Sequence, residues 1–149
     1  MTPMVHRVTI KVKRVHPDAV LPTYAHSGPL GDLAADLYCA EPKELKPGQV
    51  TRVRTGLQVE MPEGFGAIIE DRSGLATRGL CTLAGVVDPG YRGEIKVVLA
   101  HLGTEPITIK VGDRIAQMRI VRRIEAGFVE VDEVSPSSRN EGGFGSTGD

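Results

Sequence analysis

The sequence predicts an all-β fold of the sandwich, jelly-roll or barrel type. Two observations support this prediction. The chain contains 18 glycines and 10 prolines among its 149 residues, and both residue types destabilise helix interiors. Its apolar residues occur in short segments rich in Val, Ile and Thr, which are separated by turn sequences such as Lys46-Pro47-Gly48. Short strands at this spacing, with no long helix between them, are typical of antiparallel β architectures.

The individual elements are predicted from local patterns along the chain. Val8, Ile10 and Val12 alternate with polar residues, which indicates a half-buried first strand. A second strand is predicted to begin at Asp36, and a helix of one or two turns is predicted to follow Ser73. The remaining predicted strands are Val50–Thr55, Leu57–Met61, Gly66–Asp71, Leu80–Val87, Ile95–His101, Ile107–Val111, Ile115–Val121 and Phe128–Val131.

Composition and charge limit the class of protein. A chain of this length with 40% hydrophobic residues suffices for one domain with a sizeable core. Its 18 Lys and Arg residues nearly balance 19 Asp and Glu residues, which argues against a nucleic-acid partner. No apolar run approaches the ~18 residues of a membrane span, and no signal peptide is recognisable, so no membrane partner is expected. Cys39 and Cys81 form no Cys-x-x-Cys motif, which favours reduced thiols in a cytoplasmic protein.

A candidate anion site lies at Arg72-Ser73-Gly74, where a predicted strand ends and the short helix begins. Backbone N–H groups at a helix start attract anions. The Arg72 guanidinium can donate two hydrogen bonds to a phosphate, and the Ser73 hydroxyl can donate another. The alternative interpretation is an N-cap serine beside a surface arginine, and the segment by itself leaves both open.

The segment Gly85–Ile95 is predicted to form a hairpin. Pro89 and Gly90 fit the two central positions of a type II turn, in which the second residue has a positive φ. Asp88 and Tyr91 would then lie at the mouth of the hairpin. A carboxylate there can accept a proton from water, and an aromatic ring can wall one face of a small ligand. The alternative is a turn-initiating aspartate and an ordinary strand tyrosine.

Other polar residues carry weaker signals. Gln117 offers an amide to phosphate or water, Asp113 and Arg114 are interpreted as a structural pair, and Asp32 is interpreted as a loop residue. The 4 histidines are scattered, so a histidine metal site is not expected. Any metal is expected to have oxygen ligands, such as Mg²⁺ carried largely by substrate phosphates. Asp36 would act near phosphate only through a metal or water, because direct contact is repulsive.

The chain ends in a glycine-rich segment, residues 139–149, that differs from the rest of the sequence. A disordered terminus is one interpretation, since the segment can bury little apolar surface. The other is a flap that orders over a ligand. Phe144 can stack on a ring, Arg139 and the hydroxyls of Ser146 and Thr147 can bind phosphate, and glycines such as Gly145 let backbone N–H groups approach oxygens.

Taken together and in order, five segments resemble the motifs of the homotrimeric dUTPase family (deoxyuridine 5′-triphosphate nucleotidohydrolases). The resemblance runs from about Val8 to Asp149, which is nearly the whole chain. The order of all five segments is more specific than any one of them. The matching segments are Ala34-Ala35-Asp36-Leu37, Arg72-Ser73-Gly74-Leu75-Ala76, Gly85–Ile95, Gly112–Met118 and Arg139–Gly148.

The resemblance implies a jelly-roll-like β-barrel, with residues 1–138 as the β domain and residues 139–149 as a flexible C-terminal arm. It implies a homotrimer with composite active sites. One subunit supplies the first, second and fourth motifs, another supplies the hairpin, and the third closes the site with its arm. It also implies a cytoplasmic enzyme that hydrolyses dUTP to dUMP and pyrophosphate, which limits uracil incorporation into DNA and supplies dUMP for thymidylate synthesis.

The family's catalytic roles carry over to matching positions. Asp88 resembles the general base that activates water for in-line attack on the α-phosphorus. Tyr91 resembles the ring beneath deoxyribose, which leaves no room for a ribose 2′-hydroxyl. Asp36 resembles the acid of the first motif, which acts through water near Mg²⁺ while the phosphates hold the ion. The residues that resemble phosphate binders are Arg72, Ser73, Gly74 and Gln117.

The remaining implied roles concern the base and the arm. Backbone groups of the hairpin, including Gly85 and Val87, are implied to distinguish uracil from cytosine by hydrogen-bond polarity. Thr82 stands where some members have an asparagine that contacts uracil, and Phe144 resembles the ring that caps the base. The arm residues implied to hold or approach the terminal phosphate are Arg139, Gly145, Ser146 and Thr147.

The chain departs from the family pattern at Ala34, where glycine is common, and at Asp71, where proline is usual. The Asp71 side chain is expected to point away from the phosphates. A dCTP deaminase of the same superfamily is one alternative, since its hairpin also contains Asp-Pro-Gly. The segment Ile95–Leu99 lacks the glutamate of that branch, and the arm favours a dUTPase. A nucleotide-binding module without catalytic activity is the second alternative.

Overall fold

The computed structural model describes residues 5–145, and these residues confirm the all-β prediction. They form ten strands and one short helix. In chain order these are β1 (Lys11–Arg14), β2 (Ala35–Tyr38), β3 (Lys43–Leu45), β4 (Val50–Glu60), β5 (Phe65–Glu70), α1 (Ser73–Ala76), β6 (Leu80–Leu83), β7 (Val86–Val87), β8 (Glu94–His101), β9 (Ile107–Ile109) and β10 (Arg114–Arg122).

The strands form two four-stranded sheets with the orders β1-β4-β8-β6 and β2-β10-β5-β7, and a two-stranded sheet of β3 and β9. Neighbouring strands are antiparallel throughout. One hydrophobic core joins the sheets, with Val97 from the first, Met118 from the second and Ile109 from the third all buried. Burying an aliphatic side chain of this size contributes about 1.5–3 kcal/mol, so this core supplies the main driving force for the fold.

Strand β4 joins two segments that were predicted separately, Val50–Thr55 and Leu57–Met61. Its register against β8 shifts between Arg54 and Leu57, where Gly56 adopts a φ of +71°. A Cβ on Gly56 would lie 2.6 Å from the Cβ of His16, so both backbone conformation and space require glycine here. The predicted interruption is therefore a bulge within one strand.

A partly buried ionic cluster holds this bulge against the start of β8. Arg54 donates from Nη2 to Glu94 Oε1 at 2.9 Å and from Nη1 to Glu41 Oε1 at 2.8 Å. The Gly56 N–H donates to the second Glu94 oxygen at 3.2 Å. The hydrogen bonds from Arg54 lower the pKa of Glu94 below its ordinary value, although burial opposes this shift. The cluster thus fixes the point where the chain enters β8 from the turn that follows β7.

The predicted strand Leu80–Val87 is wrong as a single element. The chain forms β6 and β7, which belong to different four-stranded sheets. Ala84 and Gly85 separate them, with φ values of 59° and 103°. This left-handed backbone redirects the chain from one sheet to the other, which alternation of apolar residues does not reveal.

Three further strand predictions also need correction. β1 begins at Lys11 rather than Val8, and β3 was not predicted. Phe128–Val131 is not a strand, because it pairs with no other segment of residues 5–145, and Phe128 is 96% exposed. Within these residues, no helix is long and apolar enough to cross a membrane.

Candidate functional site

The residues predicted for one site line two different clefts. The first, called here the anion cleft, has a volume of about 620 Å³ and is open to solvent. The predicted residues in its lining are Asp36, Arg72, Ser73 and Gln117. They come from β2, the start of α1 and β10, which are brought together by the pairing of β10 with both β2 and β5.

One carboxylate organises two arginines in the anion cleft. Asp36 Oδ1 lies 3.2 Å from Arg72 Nε, and Asp36 Oδ2 lies 3.7 Å from Arg114 Nη1. The Asp36 side chain is only 14% exposed, so it holds both guanidinium groups from the floor of the cleft. Arg114 was expected to pair with Asp113, but Asp113 instead accepts a hydrogen bond from the Lys110 N–H at 2.8 Å. Asp32, Glu70 and Asp71 also line the cleft, so its cationic groups are confined to the side where Arg72 and Arg114 flank Asp36.

The segment after Arg72 presents small groups to solvent. The helix α1 has four residues and begins at Ser73, as predicted, with no side-chain hydrogen bond at its N-cap, Arg72. Ser73 is exposed and lines the cleft. At Gly74, which follows it, a Cβ would meet no atom within 4 Å. The backbone of this segment is therefore accessible to a ligand in the cleft.

Two hydrogen bonds hold the residue that precedes this segment. Gln117 Nε2 donates to the backbone oxygen of Asp71 at 2.7 Å, and the Thr82 N–H donates to Asp71 Oδ1 at 2.6 Å. The Gln117 side chain therefore contacts the loop directly, in addition to lining the cleft. Thr82 lines neither of the two clefts, and its backbone amide is occupied by Asp71.

The second cleft, called here the hairpin cleft, has a volume of about 240 Å³. Its lining includes Gly85, Val87, Asp88 and Tyr91. The prediction of a hairpin is wrong, because β7 pairs with β5 and β8 pairs with β4 and β6, so the turn joins two different sheets. The name hairpin is kept below only as a label for the segment Gly85–Ile95. Gly85 packs directly on β5, since its carbonyl accepts a hydrogen bond from the Ile69 N–H at 2.8 Å. A Cβ on Gly85 would lie 2.7 Å from the Ile69 oxygen, so this contact requires glycine.

The turn of the hairpin differs from the prediction. The Tyr91 N–H donates to the Asp88 oxygen at 3.1 Å, which closes a β-turn around Pro89 and Gly90. Gly90 does not have a positive φ, so the turn is not type II. Pro89 suits the second position of type I turns equally well, and the sequence therefore does not discriminate between them.

Tyr91 and Asp88 differ in how they are held. The Tyr91 hydroxyl donates to the Glu94 oxygen at 2.7 Å, and its ring lies so close to Gly93 that a Cβ there would be 2.7 Å from Cζ. Gly93 and Glu94 thus fix the ring. The Asp88 carboxylate is exposed and has no ion-pair partner among residues 5–145. It is therefore accessible to water.

The described part of the C-terminal arm lies outside both clefts of its own chain. Arg139 Nε donates to the Gly142 oxygen, and the Gly142 N–H donates back to the Arg139 oxygen at 3.0 Å. The Phe144 side chain is fully exposed, and Gly145 is also exposed. The predicted phosphate-binding residues Ser146 and Thr147 lie outside the described residues.

A His–Asp pair at the anion cleft was missed from the sequence. The His26 N–H donates to Asp32 Oδ2 at 2.8 Å, and His26 Nδ1 lies 3.2 Å from Asp32 Oδ1. These hydrogen bonds, led by the one from the His26 N–H, lower the pKa of Asp32. A turn-rich segment containing Pro29 and Gly31 brings the two residues together. That local turn signal was available, but neither residue type stands out without the fold.

Comparisons with known proteins identify the family. The dUTPase family matches residues 21–148. A deoxyuridine 5′-triphosphate nucleotidohydrolase of Solibacter usitatus is 47% identical over 148 residues, which is 97% of this chain and 99% of that protein. One of Thermobifida fusca is 50% identical over 154 residues, covering 99% of this chain and 83% of that protein.

Solved structures show the same fold. The dUTPase of Staphylococcus bacteriophage 80alpha, in a complex with dUpNHpp, has a TM-score of 0.79 and 27% identity, and the similarity covers 94% of this chain and 98% of that one. Its fold matches the antiparallel sheets described above. The chain therefore belongs to the dUTPase family of dUTP-hydrolysing enzymes.

Proposed function

We propose that this enzyme hydrolyses dUTP to dUMP and pyrophosphate by in-line attack of water on the α-phosphorus. The observation that carries the proposal is the separation of the chemistry into two clefts. The anion cleft holds Arg72 and Arg114 around Asp36, while the hairpin cleft presents the unpaired Asp88 beside Tyr91. The first arrangement suits a triphosphate, and the second suits a nucleoside and a water molecule.

Asp88 is the proposed general base. Its carboxylate is exposed and free of ion pairs among the described residues, so it can accept a proton from the attacking water. The backbone turn that starts at its own oxygen holds the residue in place. In-line attack at phosphorus depends mainly on positioning and charge neutralisation, and a carboxylate fixed in a tight turn supplies the positioning.

The anion cleft is the proposed phosphate site. Arg72 can donate a forked pair of hydrogen bonds, and Ser73 and the open backbone at Gly74 can donate more. Gln117 supports this segment through Asp71. Asp36 reaches phosphate only through its two arginines or through water, because both of its oxygens already face guanidinium groups.

Mg²⁺ is proposed to arrive with the substrate. Among residues 5–145, no group of three or more His, Cys, Asp or Glu side chains is arranged to hold a metal ion. An ion carried by the substrate phosphates would need no protein ligand, and Asp36, which lines the cleft, would contact it through water. Bound in this way, the ion neutralises phosphate charge.

The active site is proposed to be shared between subunits of a homotrimer. The anion cleft and the hairpin cleft have no lining residue in common, so one chain does not place Asp88 beside Arg72 in a single cleft. The C-terminal segment also exposes Ile124, Phe128 and Val134, each by at least 85%. Exposed apolar side chains in this number are typical of an interface. A neighbouring subunit is the proposed partner, and the arm, residues 139–149, is proposed to close over its site.

The hairpin is proposed to select uracil and deoxyribose. The Gly85 carbonyl is already bonded to Ile69, so uracil recognition falls to other backbone groups of Gly85, Val86 and Val87. Thr82 is not proposed to contact the base through its amide, which Asp71 occupies. Tyr91 is proposed to lie beneath deoxyribose, where its ring would clash with a ribose 2′-hydroxyl.

Gly93→Ala tests the role of the Tyr91 ring. The new Cβ would lie 2.7 Å from Tyr91 Cζ, so the ring must move and its hydrogen bond to Glu94 must weaken. We expect the ratio of kcat/KM for dUTP to that for UTP to fall by about tenfold, the scale on which a pocket wall discriminates one small group. Steady-state assays with both nucleotides measure this ratio.

Gly90→Ala is the matched control in the same hairpin. At Gly90 a Cβ would meet no atom within 4 Å, and the φ is not positive. This variant should keep the wild-type ratio. A Gly93→Ala enzyme that still rejects UTP as strongly as the wild type would show that Tyr91 does not select the sugar.

The proposed reaction is tested by measuring pyrophosphate release from dUTP, dCTP, dTTP and UTP in the presence of Mg²⁺. Release from dUTP alone supports the proposal. Ammonia from dCTP without pyrophosphate would instead indicate a dCTP deaminase, and dUTP binding without turnover would indicate a non-catalytic module.

The proposed cellular role is to limit uracil incorporation into DNA and to supply dUMP for thymidylate synthesis. The proposed compartment is the cytoplasm, where the free thiols of Cys39 and Cys81 would stay reduced.

A further inference from the structure

We infer that Asp71 is a positioning residue that sets the phosphate-binding segment Arg72-Ser73-Gly74 against the rest of the fold; the inference rests on the proposed function of that segment. Asp71 follows β5 directly and precedes Arg72. Its side chain and its backbone each accept a hydrogen bond from a different strand, from Thr82 N at 2.6 Å and from Gln117 Nε2 at 2.7 Å.

The side-chain hydrogen bond connects the two large sheets. Asp71 continues from β5, which belongs to the sheet β2-β10-β5-β7. Thr82 lies on β6, an edge strand of the sheet β1-β4-β8-β6, and within residues 5–145 β6 pairs with β8 alone. An edge strand has backbone N–H groups that no neighbouring strand satisfies. The Asp71 carboxylate satisfies one of them, so it fixes the end of one sheet to the edge of the other.

The backbone hydrogen bond adds a second anchor at the same residue. Gln117 lies on β10 opposite Glu70 of β5 and opposite Asp36 of β2. Its side chain reaches past the end of β5 to the Asp71 oxygen. Asp71 is therefore held from two directions immediately before the chain turns into the segment that lines the anion cleft. The position of Arg72 follows from this double attachment.

On the following side, the segment is held by Leu75, which packs against the hydrophobic core, and by the Thr77 hydroxyl, which donates to the Gly74 oxygen at 2.9 Å. The helix α1 itself has four residues, none of them fully buried, and its N-cap has no side-chain hydrogen bond. A helix this short is not stable by itself, because its hydrogen bonds do not offset the cost of ordering the first turn. Arg72 has its ion pair with Asp36, but Ser73 and Gly74 depend on the backbone that precedes and follows them. Asp71 supplies the attachment on the preceding side.

The same hydrogen bond explains how an acidic residue is tolerated beside a phosphate site. A carboxylate facing a triphosphate would weaken binding by repulsion. Here Oδ1 is bonded to the Thr82 N–H, a charge-assisted contact of the stronger kind. We expect the segment to depend on the position of the acceptor oxygen of Asp71 more than on its charge. Asparagine, whose amide oxygen stands at the same place, should replace it.

The experiment compares Asp71→Ala, Asp71→Asn and Asp71→Glu. The readouts are the affinity for dUpNHpp with Mg²⁺ by calorimetry, kcat/KM for dUTP, and Tm. We expect Asp71→Ala to weaken dUpNHpp binding by about tenfold, and Asp71→Asn to bind within about twofold of the wild type, because one charge-assisted hydrogen bond is at stake. Asp71→Glu keeps the charge but displaces the oxygen, and should behave like Asp71→Ala. It replaces the alanine variant if that one does not fold.

Asp18→Ala is the control, because Asp18 is an exposed turn carboxylate that lines neither cleft and lies outside the five motifs. Its affinity for dUpNHpp should not change. A change in Tm without a change in affinity for Asp71→Ala would overturn the inference, because Asp71 would then be only structural. Equal losses of dUpNHpp affinity in Asp71→Asn and Asp71→Ala would also overturn it, because the negative charge of Asp71 would then be required.

Failure of the proposed function gives a different result. A wild-type protein that binds dUpNHpp but releases no pyrophosphate from dUTP would contradict the proposed reaction, while the ranking of the Asp71 variants by affinity would still support their positioning role. A wild-type protein that does not bind dUpNHpp would overturn both, since the anion cleft would then not be a triphosphate site.

Discussion

Replacing Asp88 by asparagine is expected to lower kcat for dUTP by about 10²-fold or more while leaving substrate affinity near normal. Asparagine keeps the size of the side chain and the backbone turn closed by Tyr91, but it cannot accept a proton from water. Single-turnover measurements of pyrophosphate release, together with calorimetric binding of dUpNHpp, separate the chemical step from binding. Near-normal turnover in this variant would exclude Asp88 as the base.

A matched control is Asp18→Asn, which changes another exposed turn carboxylate that lines neither cleft. It should retain wild-type kcat. The contrast between the two substitutions distinguishes loss of a specific base from a general effect of removing one negative surface charge.

The Asp88 variant also tests whether sites are shared between subunits. Asp88 and Arg72 line different clefts of one chain, so Asp88→Asn and Arg72→Ala should impair different parts of a composite site. When the two inactive variants are mixed and reassembled in equal amounts, about a quarter of the sites should draw both intact residues from different subunits at random. The rate of dUTP hydrolysis should therefore recover to about a quarter of the wild-type rate. No recovery would indicate that each chain forms its own site.

Removing the arm is expected to have the second large effect. A chain that ends at Ser138 should keep its fold, because the core residues all lie within β2–β10 or the loops between them, and should keep the proposed trimer. It should lose about 10²-fold or more in kcat/KM for dUTP, since the site would lose the proposed contribution of Arg139 and its protection from bulk water. Sedimentation and circular dichroism check assembly and fold, and pyrophosphate release checks activity. Normal hydrolysis by the shortened chain would rule out the arm as a closing element.

Phe144 provides a finer test within the arm. Its side chain is fully exposed in the single chain, and stacking of an aromatic ring on a base contributes about 1–3 kcal/mol. Phe144→Ala should therefore raise KM for dUTP by about tenfold, whereas Phe144→Tyr, which keeps the ring, should restore it. Equal KM values for the two variants would remove the base-capping role.

The sequence alone determined the features that depend on neighbours along the chain. Alternating apolar residues located most strands, Ser73 marked the start of the short helix, and the order of the five motifs identified the family. These signals are local, since strand alternation and turn composition involve residues a few positions apart. They also grouped Gly85, Val87, Asp88 and Tyr91 around one turn, and the structure brings these four residues to one cleft, although the flanking strands β7 and β8 do not form the predicted hairpin.

Only the tertiary structure decided how distant segments meet. Left-handed backbone at Ala84 and Gly85 divides one predicted strand between two sheets, and Phe128–Val131 finds no partner within the described chain. Arg114 pairs with Asp36 instead of its neighbour Asp113. Such contacts depend on strand register, and a shift of one residue turns every side chain to the other face.

The candidate site also depends on how strands that are distant in sequence align. Its two halves line separate clefts, and Asp71 joins the sheets by accepting hydrogen bonds from Thr82 and Gln117. The sequence determined which chemical groups are available. The packing of the sheets determined which of those groups meet, because hydrogen bonds between residues remote in sequence form only when the strands that carry them are already aligned.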